Sequence, residues 1–72
     1  MLTSQAVRIF VNGDPFEVPS GSSISSLLAF LKIAPDRVAV ELNKGLVRKR
    51  DWDVTSVDSG AQIEVVEFVG GG

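Results

Sequence analysis

The sequence predicts an α+β roll: a mixed sheet of four to five strands, one main helix across one face, and a flexible glycine tail at the C-terminal end. Three observations carry that prediction. Two runs with period-two alternation flank the dipeptide Asn12-Gly13 near the start. A single stripe of helical period, Ile24, Leu27, Leu28 and Leu31, follows a cluster of turn residues. Alternating runs then return after Pro35, and the last of them leads into Gly70, Gly71 and Gly72.

Met1 to Ala6 shows no periodicity and reads as a loose leader. Val7, Ile9 and Val11 alternate with Arg8 and Phe10, the pattern of a strand with one buried face. Asn12-Gly13 is a strong hairpin signal because both residues tolerate positive φ. Pro15 to Val18 returns as a second strand, with Phe16 and Val18 on one face and Glu17 on the other. A proline there fits a strand entry or a sheet edge, since it has no N–H to give to a ladder.

Pro19-Ser20-Gly21-Ser22-Ser23 supplies turn residues and N-cap candidates. The apolar stripe then predicts a helix from about Ser23 to Lys32, closed before Pro35 and dependent on the sheet for stability. Phe30 lies off the stripe and is expected to be partly exposed. Arg37 to Leu42 alternates, with Val38, Val40 and Leu42 inward. Asn43-Lys44-Gly45 turns the chain, and Leu46-Val47 opens a short strand. Arg48-Lys49-Arg50 reads as a solvated strand end rather than a nucleic-acid patch, because three cations without interleaved aromatics make a weak footprint. Asp51 to Val57 is a loop or short helical turn anchored by Trp52 and Val57. Asp58-Ser59-Gly60 turns into the last strand, where Ile63 and Val65 share one face and Val66 and Phe68 the other. The order ββαββ, a turn and a final strand parallel to the first describes a β-grasp, or ubiquitin-like, roll. We read residues 1–72 as one such domain.

Composition narrows the function. At 72 residues the chain has room for a single small core. It contains no Cys and no His, which removes disulfides, ordinary zinc and haem sites and the usual nucleophile–base pairs. A formal net charge of -2 argues against a protein built to hold nucleic acid or an anionic membrane. The longest apolar run, Leu27 to Leu31, is far short of a membrane span, and no signal-peptide pattern opens the sequence. The expectation is a cytoplasmic protein, monomeric when free, that binds no metal and no cofactor.

The glycine end admits two readings. Terminal glycines commonly fray or remain from a linker. Alternatively, Val69 to Gly72 is a slim arm, reaching about 13 Å when extended, that carries a carboxylate into a channel too narrow for a Cβ. Phe10, Val66, Phe68 and Val69 are candidate partner-binding residues. Alternation puts the first three on the sheet face away from Ile9, Ile63 and Val65, and a contiguous exposed apolar cluster often marks a docking surface.

Together, Val7 to Gly13, the helix of Ser22 to Leu31, Arg37-Val38-Ala39-Val40-Glu41-Leu42-Asn43, Trp52, the turn before Ile63-Glu64-Val65-Val66 and the terminal Val69-Gly70-Gly71-Gly72 resemble the ThiS family of sulfur carriers in thiamine biosynthesis. The resemblance covers essentially the whole length from Val7. It implies that a ThiF-type activating enzyme adenylates the carboxylate of Gly72 with ATP, and that a persulfide donor converts it to a thiocarboxylate. A thiazole synthase of the ThiG type then accepts the sulfur. On that resemblance Gly72 is the reactive residue and Gly71 completes the pair. Two departures stand out: a third glycine, Gly70, and an Asp58-Ser59-Gly60 turn in place of the Asp-Gly-Asp type. The chain would be a carrier and co-substrate, with ATP used only by the partner. Alternatives from the sequence are a carrier of the molybdopterin synthase small-subunit type, a ubiquitin-type modifier, and a passive β-grasp binding module.

Overall fold

The computed structural model describes residues 5–68. Five strands form one mixed sheet: β1 (Ala6–Val11), β2 (Asp14–Pro19), β3 (Val38–Leu42), β4 (Gly45–Val47) and β5 (Gln62–Glu67). Their spatial order is β2-β1-β5-β3-β4. β1 and β5 run parallel, and the other pairs are antiparallel. A single helix, α1 (Ile24–Phe30), is the crossover that packs on one face, and two 3-10 turns occupy Pro35–Arg37 and Lys49–Asp51. This is the expected β-grasp roll.

Local chemistry sets each boundary. Asn12 and Gly13 both take positive φ, 52° and 88°, the geometry a two-residue hairpin needs to match strand twist. Asn43 and Lys44 do the same at 51° and 73° for the second hairpin, so Gly45 opens β4 instead of belonging to the turn. β1 begins one residue earlier than the periodicity suggested. Ala6 pairs with Pro19 and belongs to the sheet, not to a leader. β2 is an edge strand, which explains how it holds both Pro15 and Pro19.

The helix starts where the serines predict. Ser23 is the N-cap, its hydroxyl accepting from the Ser26 N–H while the Ser26 hydroxyl accepts from the Ser23 N–H. Two further N–H groups of the first turn, on Ile24 and Ser25, donate to the carbonyls of Thr55 and Trp52, so the 48–57 loop also caps the helix. The helix stops at Phe30, two residues before the predicted Lys32. Lys32 takes φ 60° and donates to the Ala29 carbonyl, while Ile33 donates to that of Leu28. That paired arrangement ends a helix, and it turns Ile33 back onto the core. A lysine in the left-handed region is unusual; the returning Ile33 contact accounts for it.

The core lies between α1 and one face of the sheet. Ile9, Val18, Ile24, Leu27, Leu28, Val40, Trp52, Val57 and Ile63 are buried. Trp52 and Val57 plug the core beneath the long loop as predicted, and the Trp52 indole N–H donates to the Val47 carbonyl at 2.9 Å. No buried side-chain polar atom among the described residues lacks a hydrogen-bond partner. No helix there is long and apolar enough to cross a membrane. Arg37, expected in a strand, sits instead in the 3-10 turn that Pro35 initiates, while its carbonyl still accepts from Phe68 at 2.7 Å.

Candidate functional site

β5 is the central strand, flanked by β1 and β3, and in the sequence it is followed by Phe68 and then residues 69–72. Its two edges are held unequally. On the β3 side the register runs from Leu42↔Ile63 to Val38↔Glu67. On the β1 side it covers only Phe10↔Gln62 and Val11↔Ile63 before β1 turns away.

Period-two geometry puts Ile63 and Val65 under the helix, and Val66 and Phe68 on the opposite, uncovered face. Val66 is 53% exposed and Phe68 54%, high values for apolar residues on or beside a central strand. Register identifies their neighbours. Ala39 lies opposite Val66, and Glu41 lies opposite both Glu64 and Leu46. Leu46 is 67% exposed. The open face therefore presents Leu46, Ala39, Val66 and Phe68, with Glu41 and Glu64 directly across from each other in their midst. Like charges at opposed positions disfavour the pairing of their strands. Neither carboxylate belongs to an ion pair among the described residues, where the pairs are Arg8–Glu17 and Lys49–Asp36.

The predicted docking residues separate into two places. Val66 and Phe68 belong to one patch. Phe10 shares their face but lies level with Gln62, four residues up the strand from Val66, about 13 Å away at strand spacing. It is half-buried and pairs with Pro15 of the edge strand. Val69, Gly70, Gly71 and Gly72 lie outside the described residues. Leu46 is the member that sequence reading missed. The two-residue turn at Asn43-Lys44 fixes Leu42 opposite Gly45 and Val40 opposite Val47, which forces Leu46 outward. That register was the available signal.

The remaining candidates resolve simply. Arg48, Lys49 and Arg50 are exposed, and Lys49 bonds Asp36 at 2.6 Å. This hydrogen bond, together with the lysine charge, holds the Asp36 carboxyl below its ordinary value. No cluster of acids that could hold a metal ion occurs among the described residues. A cleft of about 140 Å³ between the helix and Trp52, lined by Leu28, Ala29, Ile33 and Pro35, is apolar except for Ser25. The arrangement is thus a sheet offering an apolar, acid-flecked face at the C-terminal end of β5.

Comparison with known proteins agrees with the fold. The ThiS family model matches residues 6–72. A crystal structure of a thiamine biosynthesis protein (ThiS) from Geobacter metallireducens superposes with a TM-score of 0.81 at 35% identity, covering 92% of this chain and all of that one. A thiazole synthase from Magnetococcus marinus is 39% identical over 66 residues, 92% of this chain. The chain spans only 20% of that relative's length. The uncharacterized protein ycf40 of Porphyra purpurea is 30% identical over 71 residues and is covered along its full length. The chain belongs to the ThiS family.

Proposed function

We propose that this protein is the sulfur carrier for thiazole formation in thiamine biosynthesis. The observation that carries the reading is a ThiS-family β-grasp domain whose central strand leads directly into Val69-Gly70-Gly71-Gly72. A free carboxylate is a poor electrophile. Joining the Gly72 carboxylate to AMP supplies a leaving group. The terminal sulfur of a persulfide donor displaces AMP to give an acyl disulfide. A second thiol, supplied by the donor system, cleaves its S–S bond to release the thiocarboxylate and leave a disulfide on the donor. Glycine at the last positions leaves the carbonyl open to attack and the arm narrow enough for an enzyme channel. With no His and no Cys in the sequence, the catalytic groups come from a ThiF-type adenylating enzyme, which also uses the ATP. The similarity to part of a thiazole synthase supports an enzyme of that type as the sulfur acceptor.

The open face of the sheet docks the partner in this scheme. Val66, Phe68 and Leu46 supply apolar contact, Phe10 marks the far margin of the same face, and Val69, next in the sequence after Phe68, is proposed as a further contact. The cost of leaving apolar side chains in water on that face makes sense if a partner covers them.

The test is intact mass after incubation with ATP, a ThiF-type enzyme and a sulfur source. The expected result is the gain of one oxygen replaced by sulfur, absent when Gly72 is deleted. No gain with a partner verified on its own substrate overturns the reading. Higher-mass adducts on other proteins would instead mark a ubiquitin-type modifier.

A further inference from the structure

β1 leaves β5 too early to guide the strand to its end. The Asn12 N–H makes the last backbone bond between them, donating to the Ile63 carbonyl at 2.8 Å. At φ 52° the chain then turns into β2. The next β5 residue facing that edge is Val65. Its N–H donates to the Asn12 side-chain oxygen at 2.9 Å, and its carbonyl accepts from the Asn12 side-chain amide at 3.3 Å. A carboxamide has the same donor and acceptor as a peptide group. The Asn12 side chain therefore occupies the place that the next stretch of a continuing β1 would fill, and it binds both polar groups of Val65, the residue before Val66.

We infer that Asn12 is a positioning residue: its side chain extends the β1 edge along β5 and so fixes the course of Val66 to Phe68, the residues that precede the reactive arm in the sequence. The consequence for adenylation rests on the carrier reading above; the geometric role does not. The hairpin alone does not require asparagine at this position, since glycine satisfies positive φ at least as well. What glycine lacks is the carboxamide. Asn43 provides an internal contrast. It has nearly the same φ in the other hairpin, and its side-chain oxygen accepts from the Gln62 N–H at 2.9 Å, but at the start of β5, at the opposite end of the strand from Val66 and Phe68.

Asn12→Gly and Asn43→Gly separate positioning from simple stabilisation. Both keep their turns and lose side-chain bonds to β5. The first readout needs no partner: one-bond residual dipolar couplings of the Val66, Glu67 and Phe68 amides. Asn12→Gly shifts these couplings and raises exchange of the Val65 amide about tenfold, while Asn43→Gly leaves all three couplings in place. Asn12→Asp, which retains the acceptor but not the donor, falls between. The second readout is ATP–pyrophosphate exchange with the activating enzyme. Asn12→Gly lowers kcat about tenfold because the carboxylate is misdirected, with any rise in KM smaller than the fall in kcat because the apolar side chains of the docking face are all retained. Unchanged couplings in Asn12→Gly overturn the inference. So do equal shifts in both variants, or a loss confined to KM. If the wild-type chain itself is not adenylated, the carrier reading fails, and the couplings still decide the role of Asn12.

Discussion

The two faces of the sheet obey different rules. The face under α1 carries Ile9, Val11, Val18, Val40 and Ile63, all buried, and its polar neighbours are satisfied. The other face carries Leu46, Val66 and Phe68 in water and sets Glu41 against Glu64. Folding accounts for the first arrangement completely. It gains nothing from the second, where apolar groups stay hydrated and like charges oppose across paired strands. A small domain with one core has little stability to spare. The contrast shows the first face serving the fold; the second is the one proposed above to meet a partner.

The strongest way to break that comparison is in the core. Leu27→Ala should cost about 3 kcal/mol, a fall in Tm of roughly 15 °C, because it opens a cavity where α1 meets the sheet. Calorimetry checks it, and a loss below about 1 kcal/mol would mean that the helix face is far less tightly packed than described. Glu41→Lys should act in the opposite direction. Replacing the opposed carboxylates with a cross-strand ion pair should raise stability by about 0.5 kcal/mol, read as a small upward shift of Tm. A drop would show that Glu41 serves the fold after all.

The smallest effect belongs to Asp36, which lies in the 3-10 turn before β3. Its carboxyl is held below the ordinary value of 3.8 by Lys49. A depressed folded-state pKa contributes stability above the unfolded value, and that contribution disappears as pH falls through the folded one. The pair is exposed and solvent-screened, so Asp36→Asn should lower Tm by no more than about two degrees at pH 7 and by nothing measurable near pH 2. Melts at the two pH values compare them directly.

Much of this contrast was legible in the sequence because period-two alternation assigns faces. Ile9 against Phe10 and Ile63 against Val66 needed only counting. Alternation does not give register, and the exposed apolar patch depends on register. Phe10, Val66 and Phe68 share a face, but only the Phe10↔Gln62 pairing shows how far apart they lie, and only the tight Asn43-Lys44 turn brings Leu46 beside Glu41. The C-terminal end of the helix was obscured for a related reason. Lys32 is not a residue that announces a left-handed C-terminal position, and the contact that holds it there is tertiary. Asn12 read correctly as a turn residue, but a turn motif cannot reveal that its side chain also binds a strand 53 positions away.

The most direct test of the division between faces is Phe68→Asp, assayed by thermal melting and by ATP–pyrophosphate exchange with the activating enzyme. Phe68 lies outside the core, so the melt should stay within about 0.5 kcal/mol of wild type. Adenylation should fall at least about tenfold through KM, as a charge enters an apolar contact. Wild-type exchange kinetics in a folded Phe68→Asp chain would contradict the assignment of the open face to a partner.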